Sequence, residues 1–381
     1  MALYDIFIGT YSKGEGRGLF RGSFDSAGGE ITLGVSLDIE NPSYLQLSNN
    51  ILYGVSELAE FEGENGGALF SVDLGAGENS PGAVGPMKLI DIRATHGKHP
   101  CHLCIKDDSI FVSNYSEGSL SIFKRGPSGQ IEPSIMSLYH FGKSIREDRQ
   151  KSAHIHFAAM TPDEKFLALC DLGMDKVFLY PYSAGKGLST GALKVDCPPG
   201  SGPRHLSFSS CGNYMYVLTE LGNTILSYEY NGGEPRFLKE YSTLPELNSP
   251  PGLGFPTPGA NSSPGAAAST AASTSMPSTS AAIHLSPDGS YLASSNRGHD
   301  SIALFKVGEG GSLSLADHLK TGKCPRDFRF SPCGKWLLSA NQNDDSVTIF
   351  RREKDGFSQT ASVELPKPVC ILFGEAINPG N

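Results

Sequence analysis

Ser286-Pro287-Asp288-Gly289 is one of four related stretches, each of which follows a short apolar strand pattern and precedes an aromatic residue. The other three are Thr161-Pro162-Asp163-Glu164, Ser209-Ser210-Cys211-Gly212 and Ser331-Pro332-Cys333-Gly334. In chain order, the first residues of the four stretches are 48, 77 and 45 positions apart. The longest of these intervals contains one low-complexity tract of 34 residues, from Leu247 to Ser280. Without that tract the interval is 43. A strand-and-turn repeat of about 40–50 residues is typical of a β-propeller.

Copies of this repeat can be counted along the whole chain. Six copies begin near residues 40, 99, 152, 202, 281 and 324. The C-terminus begins another copy at Pro368 and stops after one strand, while the N-terminus supplies strand patterns at residues 5–11 and 18–24. We therefore predict an all-β fold in which residues 1–381 form a single domain. The domain is a seven-bladed propeller whose N- and C-terminal strands share one blade and close the ring.

The tract at residues 247–280 consists mainly of Pro, Gly, Ala, Ser and Thr, with almost no core-forming residues. This composition predicts a flexible surface insert between two blades. A neutral insertion and a regulatory segment are both compatible with it.

The bulk composition limits the classes of partner. The formal net charge is −9 and the pI is near 5.6, so nucleic acid and anionic membranes are repelled on average. The apolar stretches are strand-sized and too short to span a membrane, and residues 1–9 have a strand pattern instead of a signal peptide. The eight scattered cysteines are expected to be reduced thiols of a cytoplasmic protein. We expect a monomer or a weak homodimer.

The register of the repeat predicts which side chains line the central channel, because the innermost strand of each blade faces the propeller axis. Counting back from the aromatic residue after each turn, His156, Arg204 and Arg326 occupy equivalent positions. Counting forward, Glu220 and Arg297 are equivalent. We therefore expect His156, Arg204, Glu220 and Arg297 together at one end of the channel. The other candidates near this level, for substrate binding, are His154, Asn114, Asp171, Asn296, Arg326 and Asn341.

These side chains permit several roles. His154 and His156 are two residues apart and leave the same face of a strand, where they either pack, transfer protons or contact a metal. Arg204 and Arg297 are either surface arginines or an anion clamp, since the planar guanidinium group matches carboxylate and phosphate. Glu220, near two arginines, is either an ion-pair partner or a general base for water.

Three further patterns bear on ligands. The basic run of Lys143, Arg146, Arg149 and Lys151 is either a solvated loop or a surface that draws an anion toward the channel. Cys101-x-x-Cys104, with histidines nearby, is not expected to chelate a metal, because residues three apart on a strand point to opposite faces. Gly142-Lys143-Ser144 lacks the earlier glycine of a phosphate-binding loop. We expect neither a metal nor a cofactor.

Four stretches that carry these residues also resemble those of a known family. They are Ser152-Ala153-His154-Ile155-His156, Gly202-Pro203-Arg204-His205, Tyr216-Val217-Leu218-Thr219-Glu220 and Ser295-Asn296-Arg297-Gly298-His299-Asp300-Ser301-Ile302. Together they resemble the seven-bladed lactonase family, which includes propeller-type 6-phosphogluconolactonases and fungal carboxymuconate lactonizing enzymes. The resemblance spans nearly the whole chain outside the insert. It implies that the active site contains His156 (with His154 as the neighbouring alternative), Arg204, Arg297 and Glu220.

The resemblance also implies a reaction. A small anionic sugar lactone, 6-phosphogluconolactone of the pentose phosphate pathway in the first place, would be opened by water. Glu220 or His156 would take the proton, while the arginines would hold the anionic group and stabilise the oxyanion. Two alternatives remain open: a cycloisomerase that acts on a muconate-type substrate with the same residues, and a non-catalytic propeller that binds protein partners.

Overall fold

The computed structural model describes residues 2–11, 18–75, 84–245 and 278–377. Over these ranges the regular elements are β-strands and one 3-10 turn, Glu309–Gly311, with no α-helix. No helix of these ranges is therefore long and apolar enough to cross a membrane. The predicted insert at residues 247–280 lies outside the described residues except for its last three. Of these, Thr279 and Ser280 already belong to a strand of the following blade.

The strands form seven antiparallel blades. Blade 7 begins with β1 (Leu3–Thr10), β2 (Leu19–Asp25) and β3 (Glu30–Leu37). Blade 1 contains β4 (Pro42–Ser48), β5 (Ile51–Ser56), the small hairpin of β6 (Glu60–Phe61) and β7 (Glu64–Asn65), β8 (Ala68–Asp73) and β9 (Lys88–Ala94). Blade 2 contains β10 (Pro100–Lys106), β11 (Ser109–Asn114), β12 (Ser119–Lys124) and β13 (Met136–Tyr139). Blade 3 contains β14 (Ile155–Met160), β15 (Phe166–Asp171), β16 (Lys176–Ser183), β17 (Gly187–Leu188) and β18 (Leu193–Asp196).

The remaining blades follow the same order from the inside outward. Blade 4 contains β19 (Pro203–Phe208), β20 (Tyr214–Thr219), β21 (Thr224–Glu229) and β22 (Arg236–Ser242). Blade 5 contains β23 (Thr279–Leu285), β24 (Tyr291–Arg297), β25 (Ser301–Val307) and β26 (Leu313–Lys320). Blade 6 contains β27 (Pro325–Phe330), β28 (Trp336–Asn341), β29 (Ser346–Glu353) and β30 (Gly356–Glu364). Strand β31 (Pro368–Ile377) completes blade 7 as its innermost strand.

The innermost strands contact one another in a complete circle, in the order β4, β10, β14, β19, β23, β27, β31 and back to β4. Strand β31 pairs antiparallel with β1, so that Ile371 lies opposite Ile8 and Leu372 lies opposite Phe7. The last strand of the chain thereby joins the sheet that the first three strands begin. Each blade remains a separate sheet, and this radial arrangement leaves only short, protected sheet edges. The predicted seven-bladed propeller, with one blade shared by the terminal strands, is confirmed.

The recurring turn joins the innermost strand of a blade to its second strand. In blade 5 the Ser286 hydroxyl accepts a hydrogen bond from the Tyr291 N–H at 2.9 Å, and the Ser286 N–H donates to the Tyr291 carbonyl at 2.8 Å. Gly289 has a φ of 71°, a left-handed conformation that glycine adopts without steric strain. The hydroxyls of Ser209 and Ser331 accept the equivalent bonds in blades 4 and 6. These residues therefore set the register of each hairpin.

A β-bulge near the start of several innermost strands brings one side chain toward the axis. In β19, Pro203 lies opposite Thr219, but the next paired residue is His205. Arg204 is therefore an extra residue, and a bulge re-aims the side chain that it carries. The same irregularity occurs at Ser43 in β4, Cys101 in β10, His156 in β14 and Arg326 in β27. This pairing agrees with the equivalence of His156, Arg204 and Arg326 predicted from the repeat.

The hydrophobic core lies between neighbouring blades. Between blades 6 and 7, buried apolar residues of both sheets pack together, including Ile349 and Ile371. The single tryptophan, Trp336, is 3% exposed there. Its ring meets Phe24 edge to face at 6.0 Å, and its Nε1 donates to the Ser26 carbonyl at 3.1 Å. Such contacts hold adjacent blades together as a frame for the channel residues.

Candidate functional site

We call the end of the channel at which the innermost strands begin the mouth. Just inside it, the bulged side chains surround the axis. Together with Val369, the side chains of Ser43, Cys101, Arg204 and Arg326 line a cavity of about 10 Å³. A space of this size holds about one water molecule. The side chains therefore fill the channel at this level.

A hydrogen-bonded group lies one layer further from the mouth. Asp327 accepts from His284 Nε2 and from the Ile371 N–H, both at 3.0 Å, and Arg329 Nη1 donates to His284 Nδ1 at 3.1 Å. Burial and the neighbouring Arg329 lower the pKa of His284 to about 4, so this histidine is neutral at pH 7. These groups therefore satisfy one another's hydrogen-bonding capacity in the layer below the bulged residues.

Glu220 is the centre of an arginine cluster at the mouth. It directly follows β20, and its N–H donates to the Gly202 carbonyl at 2.7 Å. Arg204 Nε and Arg297 Nη2 each lie 3.0 Å from Glu220 Oε2. Arg149 Nη2 lies 2.6 Å from Glu220 Oε1. The structure therefore brings together three residues that sequence reasoning selected, and it adds Arg149 to them.

The arginines determine the charge state of Glu220. Burial raises the pKa of this carboxyl group, but the charges of Arg297, Arg204 and Arg149 outweigh burial and hold the pKa well below its usual range. Burial, with Arg297 nearby, lowers the pKa of Arg204 to about 10, so its guanidinium group is charged at neutral pH. Among the described residues, neither Arg204 Nε nor Arg297 Nε has an aligned hydrogen-bond acceptor, although Arg204 Nε lies close to Glu220. Both of these Nε atoms are enclosed by protein, and the Arg297 side chain is the more exposed of the two, at 16% against 3% for Arg204.

A second arginine–carboxylate group lies at the mouth. Arg326 Nη2 donates to Glu57 Oε2 at 3.1 Å, and the Tyr11 hydroxyl donates to the same oxygen at 2.7 Å. The Arg326 guanidinium also lies over the Tyr11 ring, 4.9 Å from its centroid. Burial disfavours the charged form of Arg326, but Tyr11 and Glu57 raise its pKa above the usual value. Arg326 is thus held as a cation, and its contact with substrate stays a prediction.

The two histidines of blade 3 have different environments. His156 is 6% exposed, and its Nδ1 lies 3.7 Å from Cys101 Sγ. Burial, and then the charge of Arg204, lower the pKa of His156 well below its ordinary value, so it is neutral and able to accept a proton. His154 stacks on Tyr115 with ring centroids 4.5 Å apart, and its Nδ1 lies 2.9 Å from the Tyr115 carbonyl oxygen. Because that oxygen only accepts, His154 Nδ1 carries a proton.

Four predicted substrate-binding residues are 0% exposed and bond to their own blade or to an adjacent connection: Asn114, Asp171, Asn296 and Asn341. Asn341 Nδ2 donates to Ser346 Oγ at 3.1 Å. The Asp171 carboxylate lies 2.7 Å from His140 Nδ1 and accepts from the His154 N–H at 2.8 Å. Contacts of this kind hold the loops and strands next to the mouth. We therefore give these four side chains a structural role and leave them out of the proposed site.

Register reasoning overlooked Tyr115 at the mouth and gave Glu57 only as a looser match to this level. Tyr115 and Glu57 directly follow the second strands of blades 2 and 1, as Glu220 follows that of blade 4. Counting one residue beyond each second strand finds both. Arg149 lies outside the repeat, so the only sequence signal for it is its place in the basic run. The described part of the chain contains no group of three or more His, Cys, Asp or Glu side chains that could hold a metal ion.

Over the residues that the structure describes, the mouth is cationic. Four arginines face two glutamates there, listed with their partners as Arg149, Arg204 and Arg297 with Glu220, and Arg326 with Glu57. Charged guanidinium groups in a partly desolvated site bind anions and stabilise developing negative charge. A neutral histidine beside them supplies a proton acceptor. This combination suits the attack of water on the carbonyl group of an anionic compound.

Comparison with known proteins agrees with this chemistry. Residues 5–373 match the family model described as lactonase, 7-bladed beta-propeller. A 6-phosphogluconolactonase of Bacillus subtilis is 31% identical over 387 residues, covering 98% of this chain and 99% of its own. A 6-phosphogluconolactonase of Formosa agariphila is 32% identical over 336 residues, which is 85% of each chain. The structure of a periplasmic gluconolactonase of Pseudomonas aeruginosa matches with a TM-score of 0.84 at 29% identity, over 99% of this chain and 100% of the other.

Proposed function

The chain belongs to the lactonase family of seven-bladed β-propellers, and from this we propose that it hydrolyses a sugar lactone that carries an anionic group. The first candidate is 6-phosphogluconolactone, because two similar proteins are named 6-phosphogluconolactonase. This substrate would place the enzyme in the pentose phosphate pathway. The observation that carries the proposal is the convergence of Arg149, Arg204 and Arg297 on Glu220. An anionic substituent meets several charged N–H donors there.

The proposed reaction is the addition of water to the lactone carbonyl. His156, which is buried and neutral, accepts a proton from the water as the water oxygen bonds to the carbonyl carbon. N–H groups of Arg204 and Arg297 stabilise the negative charge on the carbonyl oxygen of the tetrahedral intermediate. The ring C–O bond then breaks, and the proton passes from His156 to the departing oxygen. The product is the open-chain hydroxy acid.

Glu220 orients guanidinium groups in this scheme. Its Oε2 lies 3.0 Å from both Arg204 Nε and Arg297 Nη2, which holds the two guanidinium groups at the same carboxylate oxygen. Both carboxylate oxygens of Glu220 are paired with guanidinium groups, Oε1 with Arg149 and Oε2 with Arg204 and Arg297, so they are engaged in ion pairs. The sequence leaves an ion-pair role and a general-base role open for this residue, and we propose the first.

Acid release from a panel of δ-lactones, measured in a pH-stat, tests the function. We expect the protein to accelerate hydrolysis of 6-phosphogluconolactone above the spontaneous rate. Arg204→Ala is expected to lower turnover on the order of a hundredfold, a usual loss for one group that stabilises an oxyanion. Arg236→Ala is the control, since Arg236 pairs with Glu229 on the exposed outer side of blade 4. Its turnover should equal that of the wild type.

Two results would refute lactone hydrolysis. Conversion of a muconate, followed by ultraviolet absorbance, in place of lactone opening would identify a cycloisomerase. Absence of both activities would favour a propeller that only binds partners. Unchanged turnover of Arg204→Ala would remove Arg204 from the mechanism. The cytoplasmic location and the monomeric or weakly dimeric state remain predictions.

A further inference from the structure

Arg149 differs from the other arginines of the mouth in its position and its exposure. The other three lie on strands, whereas Arg149 lies in the connection between β13 and β14, residues 140–154. The Arg149 side chain is 33% exposed, against 3% for Arg204 and 16% for Arg297. A ligand that approaches from solvent therefore finds the Arg149 guanidinium more accessible than those of Arg204 and Arg297.

The backbone next to Arg149 is firmly held. Gln150 Nε2 donates to Asp175 Oδ1 at 2.8 Å, and the Gly202 N–H donates to the same Asp175 oxygen at 2.7 Å. Gly202 precedes Arg204 by two residues, so the Asp175 carboxylate joins the 140–154 connection to the strand that carries Arg204. The base of the Arg149 side chain is thus fixed relative to the rest of the cluster, while the guanidinium end is partly exposed.

The contacts of the Arg149 guanidinium are separate from those of the other arginines at Glu220. Arg149 Nη2 lies 2.6 Å from Glu220 Oε1 and 3.2 Å from the Tyr115 hydroxyl. Arg204 and Arg297 approach the other carboxylate oxygen, Oε2. A ligand anion that draws Arg149 away from Oε1 therefore leaves both pairs at Oε2 in place. Glu220 stays paired with two cations throughout such an exchange.

We propose that Arg149 binds the anionic group of the substrate, exchanging Glu220 Oε1 for a substrate oxygen, and thereby selects anionic lactones over neutral ones. This inference rests on the proposed lactone hydrolysis. A guanidinium group forms two parallel hydrogen bonds with phosphate or with carboxylate, whereas a neutral hydroxyl group offers no charge to replace Glu220. Arg149 is in this view a specificity-determining residue, because it contacts the substituent and not the reacting carbonyl.

Steady-state kinetics of Arg149→Ala on three lactones test the inference. The substrates are 6-phosphogluconolactone, neutral glucono-δ-lactone and glucaro-δ-lactone, which carries a free carboxylate at C6. We expect kcat/KM to fall about 10- to 100-fold for the phosphorylated lactone, the usual effect of one charge-assisted pair, and to change less than about threefold for the neutral one. Arg149→Lys keeps the charge but not the planar guanidinium group, so its fall in kcat/KM for the phosphorylated lactone should be intermediate. A parallel fall for glucaro-δ-lactone would show general anion recognition, and its absence would show selection of phosphate; both results support the inference.

Arg146→Ala is the matched control. Arg146 lies in the same connection, its side chain is 42% exposed, and it pairs with Asp148 at 3.6 Å. Its kinetics should equal those of the wild type on every substrate. A second readout, independent of turnover, is calorimetric binding of 6-phosphogluconate and gluconate, where Arg149→Lys should weaken only the first.

The outcomes separate this inference from the proposed function. Equal losses on the phosphorylated and the neutral lactone, or no loss on either, would overturn the role of Arg149 while hydrolysis by the wild type still stood. Failure of the wild type to open any lactone would instead refute the proposed function. Circular dichroism of each variant establishes that a loss of activity is not a loss of fold.

Discussion

Replacing Glu220 by glutamine isolates the negative charge at the centre of the mouth. The amide has nearly the shape of the carboxylate, so the packing of this 3%-exposed residue is preserved. The arginines that approach it at 2.6–3.0 Å lose their shared counter-charge. The amide NH₂ group also presents donors where guanidinium groups need acceptors. We therefore expect Glu220→Gln to destabilise the fold as well as the site.

The size of the effect follows from distance and burial. Two unit charges about 4 Å apart attract by about 4 kcal/mol at an effective dielectric constant of about 20. Glu220 has three such partners, but the desolvation of its carboxylate offsets much of this attraction. Removal of one partner from a buried ion pair typically destabilises a protein by about 3–5 kcal/mol. Because the Arg149 side chain is partly exposed and can hydrate, we expect the lower end, about 3 kcal/mol.

Chemical denaturation followed by Trp336 fluorescence measures this free energy of unfolding. Trp336 is the single tryptophan, and its position between blades 6 and 7 makes its emission sensitive to loss of the ring. Glu229→Gln is the control, since Glu229 also pairs with an arginine, Arg236, but on an outer strand. An exposed pair of this kind contributes little, so the control should unfold like the wild type.

The difference in the free energy of unfolding between the wild type and Glu220→Gln depends on pH. A carboxyl group whose pKa is lower in the folded state stabilises the fold above its unfolded pKa, which is about 4.3 for glutamate. That stabilisation is lost as the pH falls from there toward the folded-state pKa, which the arginines hold well below the usual range. The difference between wild type and Glu220→Gln should thus be full at neutral pH and shrink below about pH 4. Equal stability at neutral pH, or a difference that grows in acid, would refute the reasoning.

Two further substitutions distinguish a catalytic role from a structural role. His156→Asn should lower kcat on the order of a hundredfold with little change in KM, because the variant loses a proton acceptor but keeps every contact with the anion. A change confined to KM in steady-state assays would contradict this. Asn341→Ala should lower the free energy of unfolding by about 1–3 kcal/mol, because buried partners such as Ser346 Oγ lose their hydrogen bond, while KM stays constant. A higher KM with unchanged stability would restore Asn341 as a substrate contact.

The fold was predictable because its information is local and repeated. The turn at Ser286 to Gly289 and its three relatives each set one hairpin by hydrogen bonds within six residues, and the spacing between them counts the blades. A repeat also relates distant positions to one another. Arg204 and Glu220 are 16 residues apart and Arg297 is far beyond them in the chain, yet the register correctly placed all three at one end of the channel.

The sequence predicted the level of a side chain along the propeller axis better than the direction in which the side chain points. Four predicted residues lie at the predicted level but are buried, because each lies at or next to the end of a second strand and bonds to polar groups of its own blade or the adjacent loop. They are Asn114, Asp171, Asn296 and Asn341. Arg204 instead reaches the axis through a bulge in β19. Such a bulge depends on how two strands pair, and the residue types alone do not specify it.

The period, the closure of the ring and the placement of Arg204, Glu220 and Arg297 at the mouth were contained in the sequence, because each follows from spacing between like positions. The placement of Arg149 and the charge state of Glu220 could not be read from the sequence. Arg149 lies 71 residues before Glu220 and outside the repeat, so only the folded chain brings the two together. The depressed pKa of Glu220 arises from burial among converging cations, and burial and distance are properties of the tertiary structure.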